Sequence, residues 1–175
     1  MLNKYTVKTV KTFIGQEGHG FNANLYRNNK KVAFVRDDAS GGSYAYDWVD
    51  YKEPRVDIIS RNGKCSYEGT PEEKILQDIV TALPKIETEL DGEPFSFDPD
   101  MDTFIGDVLS EFEEKKQIKK WSKTKTVFLL KGEDPKEGYH TATAPFSTRV
   151  LKYLKDKYAD SLAIVYNSVA EPVSL

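Results

Sequence analysis

The residues best suited to an interaction are the acidic side chains between Glu87 and Glu114. This stretch contains eleven Asp or Glu and neither Lys nor Arg, whereas the whole chain of 175 residues has a formal net charge of −3 and the remainder therefore carries +8. Carboxylates concentrated in this way can imitate the phosphates of a nucleic acid and occupy a basic surface. The alternative is a solvated helix face with acids favoured near the helix N-terminus. The residues predicted to contact a partner are Asp98, Asp100, Asp102, Asp107, Glu111, Glu113 and Glu114.

Asp98, Asp100 and Asp102 also have the spacing of the first ligands in a calcium loop. The sixth position of that loop is Thr103 instead of Gly, and the twelfth is Leu109 instead of Glu, so two requirements of the motif fail. The single cysteine, Cys65, and the two histidines offer few ligands for zinc, and Cys65 has no neighbouring His and acid to activate it. We predict no metal site and no cofactor.

A glycine-rich segment, Gly15–Gly20, is the one place where a phosphate-binding loop has to be considered. Backbone amides in such loops can bind anions. A Walker loop requires a following helix and a Gly-Lys-Ser/Thr ending, but here an alternating strand pattern follows. We therefore interpret the segment as a hairpin turn with His19 at the surface. An enzyme acting on a nucleotide at this loop ranks last among the hypotheses, and no catalytic residue is predicted.

Tyr44, Tyr46 and Trp48 alternate along one strand and share a face. With Lys30 and Lys31 nearby, they form the alternative functional hypothesis, a nucleic-acid-binding sheet on which bases stack. Aromatic residues on one face of a strand more often pack beneath helices, and we favour that interpretation. A lysine run from Lys115 to Lys125 is a weaker nucleic-acid candidate, since it also suits the C-terminal end of a helix.

The predicted fold is α+β, with an antiparallel meander over residues 1–69 and helices with a β-hairpin–helix–β unit over 70–175, packed as one domain. A first helix is predicted after the cap Thr70, with Ile75, Ile79, Leu83 and Ile86 on its apolar side, and a second helix after the cap Asp98. The strands Thr126–Lys131 and Tyr139–Thr143 are predicted to form a hairpin. A third helix opened by Pro145 and a strand at Leu162–Tyr166 follow. No apolar run is long enough to cross a bilayer, and the first residues lack the apolar segment of a signal peptide, so we expect a cytoplasmic protein.

The stretch from Phe13 to Trp48 combines a glycine–aromatic strand, an Asn-Asn turn, a Lys-Val strand and an Asp-to-Gly-Gly turn. In this pattern it resembles small, mostly uncharacterised proteins encoded by phages and other mobile elements. The resemblance covers about a fifth of the chain and identifies no catalytic residue. It implies a non-enzymatic protein that binds and inhibits a host defence protein that handles nucleic acid, in the manner of an anti-CRISPR protein.

Overall fold

The protein has an α+β fold, as the sequence predicts. The computed structural model describes residues 5–61, 63 and 66–166 and the backbone of residues 173–174. Cys65 lies outside the described residues. The helices are α1 (Pro71–Thr81), α2 (Met101–Trp121) and α3 (Thr148–Tyr158). The strands are β1 (Tyr5–Gly15), β2 (Gly18–Arg27), β3 (Lys30–Asp37), β4 (Ala45–Trp48), β5 (Val56–Ile59), β6 (Ser66–Gly69), β7 (Ile86–Leu90), β8 (Glu93–Phe97), β9 (Thr126–Leu130), β10 (His140–Ala142), β11 (Leu162–Tyr166) and β12 (Val173–Ser174).

The chain divides into two compact units, and the division falls within α2. The first unit extends to Phe112 and the second begins at Glu113. The first contains the four-stranded sheet β1-β2-β3-β4 and the two-stranded sheets β5-β6 and β7-β8. Strands β1, β2, β3 and β4 each pair antiparallel with the next strand in sequence, so they form the predicted antiparallel meander.

Two tight turns build the meander. Asn28 and Asn29, between β2 and β3, both have positive φ, 51° and 64°, which matches the right-handed twist of a hairpin and which Asn tolerates. Between β1 and β2 the strands pair up to Gly15 and Gly18, so only Gln16 and Glu17 form the turn. The glycine-rich segment is thus a hairpin, as predicted.

The core of the first unit lies on one face of this sheet. Ala23, Leu25 and Val35 contribute from the strands and are fully buried. The helices cover them with a set of apolar side chains: Leu76 and Val80 from α1, and Phe104, Ile105 and Val108 from α2. Among the described residues, the opposite face of the sheet adds no member to this core.

Helix α1 begins as the sequence predicts, and the predicted Ile79 and Leu83 pack against the core, but the most buried apolar side chains are different ones. Thr70 and Glu73 form a capping box, and Pro71 occupies the first turn. The buried apolar residues are Leu76 and Val80, whereas Ile75 is 37% exposed. The helix ends at Thr81, so Ile86, which we placed on its apolar side, belongs to β7 instead.

The chain after α1 forms a hairpin that we did not predict. Strands β7 and β8 pair over their full length, and the turn is Asp91-Gly92 with φ of 53° and 83°. Asp-Gly is a strong signal for this turn type.

Helix α2 begins two residues later than expected, because Asp100 and not Asp98 caps it. The Oδ1 atom of Asp100 accepts a hydrogen bond from the Thr103 amide at 2.8 Å.

In the second unit the sheet order is β10-β9-β11-β12. The predicted hairpin of β9 with β10 and the strand β11 are present, and β9 pairs antiparallel with both β10 and β11. Helix α3 is capped by Ser147, so Pro145 and Phe146 precede the helix and do not open it. Leu154 packs with Phe128, Leu162 and Val165 in a small core. Among the described residues no helix is long and apolar enough to cross a membrane.

Candidate binding surfaces

The β7–β8 hairpin carries acidic residues on one face and apolar residues on the other. In an antiparallel ladder, directly paired residues share a face, and successive pairs alternate between faces. The pairs Glu87–Ser96 and Glu89–Pro94 form one face, which we call the acidic face. Both glutamates are exposed. Asp91 adds a further exposed carboxylate at the turn.

The other side of this hairpin, the apolar face, is formed by the pairs Ile86–Phe97, Thr88–Phe95 and Leu90–Glu93. The exposed fractions are 59% for Leu90, 45% for Phe95 and 37% for Phe97. The rings of Phe95 and Phe97 stack on each other with centroids 6.1 Å apart. None of these side chains belongs to the core of the first unit. The hairpin therefore presents an apolar surface on the face opposite Glu87 and Glu89, and the exposed Glu93 lies at the end of that apolar face.

The three aspartates at the start of α2 have different environments. Asp98 forms an ion pair with Arg61 at 3.3 Å and its side chain is 50% exposed. Asp100 is exposed and caps the helix. Asp102 is half-buried: Oδ2 accepts from the Tyr44 amide at 2.9 Å, and Oδ1 accepts from the Tyr46 hydroxyl at 2.7 Å. Asp102 thus joins α2 to the sheet, and its carboxylate is not presented to a partner.

The remaining predicted contact residues also differ. Asp107 is exposed on α2, and Glu111 is half-buried. In the second unit, Glu113 forms an ion pair with Lys116 at 3.0 Å. Glu114 accepts a hydrogen bond from the Tyr139 hydroxyl. Of the seven predicted acids, Asp98, Asp100 and Asp107 are therefore the most accessible, while the hairpin glutamates, which we did not include among the contact residues, are more prominent.

The aromatic row lies on the inner face of the meander. Trp48 is only 9% exposed, and Tyr44 and Tyr46 pack against the core. The rings of Tyr46 and Trp48 stack with centroids 5.6 Å apart and an interplanar angle of 9°. Burial, together with the hydrogen bond to Asp102, raises the pKa of Tyr46 well above its usual value. This placement agrees with the core interpretation and removes these rings from the predicted stacking platform.

Beside this row is an open cavity of about 510 Å³. Its lining residues are Tyr46, Asp47, Trp48, Tyr51, Arg55, Thr70 and Glu73. The Glu73 carboxylate is already used, since it accepts from the Thr70 amide and from the Tyr67 hydroxyl. Within the part of the chain that the structure describes, no group of three or more His, Cys, Asp and Glu side chains is placed to hold a metal ion.

The outer face of the meander carries a different set of aromatic and basic residues. Register places Tyr26 beside Lys31, Phe34 beside Asn24, and Arg36 beside Asn22. On β1, Lys8 pairs with Asn24, and Lys11 pairs with Asn22. Of the two predicted lysines, Lys31 lies on this face, whereas Lys30 pairs with Arg27 on the inner side. The sequence indicates this surface only weakly: β2 and β3 alternate, but apolar or aromatic residues occur at the odd and at the even positions, so both faces of these strands carry them.

Comparison of the chain with protein-family models, with curated proteins and with solved structures found no match. The resemblance of Phe13–Trp48 to proteins of phages and mobile elements therefore stays a prediction.

Proposed function

We propose that the protein is a non-enzymatic binding protein that docks its β7–β8 hairpin against a basic surface of a partner protein. One observation carries this proposal: the hairpin exposes Leu90, Phe95 and Phe97 on one face and Glu87 and Glu89 on the other. An exposed apolar patch is typical of a protein-interaction site. The carboxylates determine the sign of charge that the partner must provide.

The energetics favour a partner that covers the apolar face. A two-stranded hairpin is marginally stable by itself, and within the described part of the chain β7 and β8 pair only with each other. Burying apolar surface contributes about 25 cal/mol per Å². Phe95 and Phe97 are rigid rings that lose little conformational entropy on binding, which suits them as anchors. The acidic residues accelerate association and select a partner rich in Lys and Arg around an apolar pocket.

The partner class follows from the charge and from the resemblance given above. Proteins that bind nucleic acid have clefts lined with Lys and Arg, and a hairpin rich in carboxylates can enter such a cleft in place of phosphates. The protein would then inhibit a nucleic-acid-handling host defence protein in the cytoplasm, which is a counter-defence role for a phage or mobile element. Asp98, Asp100 and Asp107 extend the negative surface into α2.

Affinity capture from nuclease-treated host lysate tests this proposal. The test variant is Glu87→Gln/Glu89→Gln. The matched control is Asp57→Asn/Glu68→Gln, which neutralises an exposed acid pair on the β5–β6 hairpin. We expect the wild type and the control to retain the same partner and the test variant to lose it. Retention by the test variant would contradict the proposal. Nuclease treatment removes capture that is bridged by nucleic acid.

A further inference from the structure

We propose that the outer face of the sheet β1–β4 binds single-stranded nucleic acid. This surface and ligand go beyond the hairpin-mediated protein binding proposed above. Two properties of the face carry the inference. It has an excess of cations, and it carries aromatic rings outside the core of the unit.

The cations lie in the rows defined by strand pairing. Lys11 and Arg36 flank Asn22 from the two neighbouring strands, and Lys8 lies beside Asn24. Lys31 follows beside Tyr26. All four are exposed. Among the described residues, two carboxylates lie near these cations: Asp47, which pairs with Phe34, and Asp38, which interacts electrostatically with Arg36. A net positive strip of this kind follows a phosphate backbone.

The aromatic residues of this face are Tyr26, Phe34 and Phe13. Tyr26 pairs with Lys31, and Phe34 pairs with Asn24, so the two rings lie on the same face of β2 and β3 on either side of a β-bulge at Val32. Rings on one face of neighbouring strands can each stack on a base of the same strand. Phe13 pairs with Gly20 at the far end and is 39% exposed. A Cβ at position 20 would come within 2.7 Å of the Phe13 ring, so the glycine lets that ring lie close to the sheet.

The length of the face suits a short single strand. From Gly20 to Tyr26 the strand β2 extends about 20 Å at about 3.3 Å per residue. This matches the low end of the range of about 4–16 nucleotides for single-strand-binding sheets. The amides of Asn22 and Asn24, on the same face between the rings, offer hydrogen-bond donors and acceptors to base edges.

One contact has to rearrange when a base binds. The ammonium of Lys8 lies over the Tyr26 ring, 4.4 Å from its centroid. An exposed cation–π contact is weaker than the stacking of a base on an aromatic ring. Lys8 can therefore exchange the ring for a phosphate while the base takes its place on Tyr26.

A single strand fits this face better than a nucleic-acid duplex or a second copy of the protein. Aromatic stacking needs unstacked bases, which a duplex does not provide. A second copy docked face to face would bring together two surfaces that each have an excess of cations, and like charges across an interface are unfavourable.

Fluorescence anisotropy with labelled 12-nucleotide oligo-dT, oligo-U and a 12-base-pair duplex tests the proposal. We expect the single strands to bind more tightly than the duplex. With four phosphate contacts the affinity should fall about 50-fold between 50 and 200 mM NaCl, at a slope of about 0.7 per contact. Equal or tighter duplex binding would overturn the proposal, and the relative affinity for oligo-dT and oligo-U identifies the preferred strand.

Two variants locate the site. Lys11→Gln/Arg36→Gln should reduce the salt slope by about 1.4, whereas the control Lys119→Gln/Lys120→Gln, on the exposed lysine run of α2, should leave it unchanged. Phe34→Leu should weaken binding at least about fivefold. A larger effect of the control, or no effect of Phe34→Leu, would overturn the proposal.

Two further measurements keep these outcomes interpretable. Thermal unfolding identifies a variant that fails to fold, and Tyr26→Leu replaces Phe34→Leu in that case. Light scattering after size-exclusion chromatography reports the oligomeric state. A dimer that Phe34→Leu dissociates, without binding of the oligonucleotides, would assign the face to a second copy instead.

Discussion

Asp102 on α2 accepts a hydrogen bond from the hydroxyl of Tyr46 on β4 at 2.7 Å, across 56 positions of the chain. Its second oxygen accepts from the Tyr44 amide at 2.9 Å. This carboxylate therefore positions the start of α2 on the sheet. A charge reversal of Asp98, Asp100 and Asp102 together would damage the fold, so it is a poor test of partner binding.

Replacing Asp102 should destabilise the first unit. Asp102→Ala leaves the Tyr46 hydroxyl and the Tyr44 amide without their acceptor, and hydrogen bonds to charged groups contribute about 1.5–3 kcal/mol each. The sum for two bonds is about 3–6 kcal/mol, but Asp102 is half-buried and water can replace part of each bond, so we expect the free energy of unfolding in urea to fall by about 2–4 kcal/mol. The control Asp107→Ala, exposed on the same helix, should change it by less than about 0.5 kcal/mol. Equal effects of the two variants would show that the Asp102 contacts contribute little.

The ion pair of Arg27 with Glu72 should matter more than an exposed pair. Two guanidinium nitrogens of Arg27 donate to the two carboxylate oxygens of Glu72 at 2.8 and 2.9 Å, and the side chains are 26% and 12% exposed. Glu72→Ala should cost about 2–3 kcal/mol, somewhat less than for a fully buried pair. Asp78→Ala removes the exposed pair with Lys74 and should cost about 0.5 kcal/mol or less. Double-mutant cycles with Arg27→Ala and Lys74→Ala measure both couplings.

Tyr5 should make the protein sensitive to alkali. Burial raises the pKa of its hydroxyl from 10.0 to about 12, with smaller opposing effects of Arg27 and Glu72. Above pH 10 the unfolded chain loses this proton before the folded protein does, so stability falls as the pH rises from 10 to about 12. The hydroxyl also has no hydrogen-bond partner among the described residues.

Tyr5→Phe should therefore raise the free energy of unfolding at pH 7 by about 1 kcal/mol, because it removes a buried unpaired group. It should also reduce the loss of stability between pH 10 and 12. Denaturant unfolding at a series of pH values checks both effects. If the variant is less stable at pH 7 and loses as much stability between pH 10 and 12 as the wild type, the hydroxyl makes a favourable contact.

The hairpin glutamates should contribute to binding without contributing to stability. Glu87 and Glu89 are exposed on a hairpin whose two strands, among the residues that the structure describes, pair only with each other. Glu87→Gln/Glu89→Gln should therefore change the melting temperature by no more than the equivalent of about 0.5 kcal/mol. Differential scanning calorimetry on the variant and on Asp57→Asn/Glu68→Gln checks this. A large loss of stability would mean that lost binding cannot be attributed to the hairpin surface alone.

Local signals in the sequence were sufficient for much of the fold. The Asn28-Asn29 turn and the Thr70 capping box depend on neighbouring residues, and both are present as predicted. The β7–β8 hairpin was missed although Asp91-Gly92 is a good turn signal. Ile86 continues the apolar spacing of the preceding helix, and the glutamates of β7 have low strand propensity. The helical spacing was therefore given more weight than the turn signal, and Ile86 was assigned to the helix.

The surfaces were harder to predict than the elements. Alternation shows that Tyr44, Tyr46 and Trp48 share a face, but it does not show which face the helices cover. Strands β2 and β3 have apolar or aromatic residues in both phases, so Tyr26 and Phe34 were as plausible for the core as Leu25 and Val35. The hydrogen bonds of Asp102 depend on residues distant in sequence, and no local pattern indicates them.

Site-specific crosslinking tests the central claim most directly. The photoreactive residue p-benzoylphenylalanine replaces Phe95 on the apolar face of the hairpin, or Tyr153 on α3, which is 55% exposed and serves as the control. On illumination in nuclease-treated host lysate, position 95 should crosslink to one protein, and Glu87→Gln/Glu89→Gln should abolish that product. A product at position 153 with none at position 95, or a product at 95 that survives loss of both carboxylates, would contradict the account.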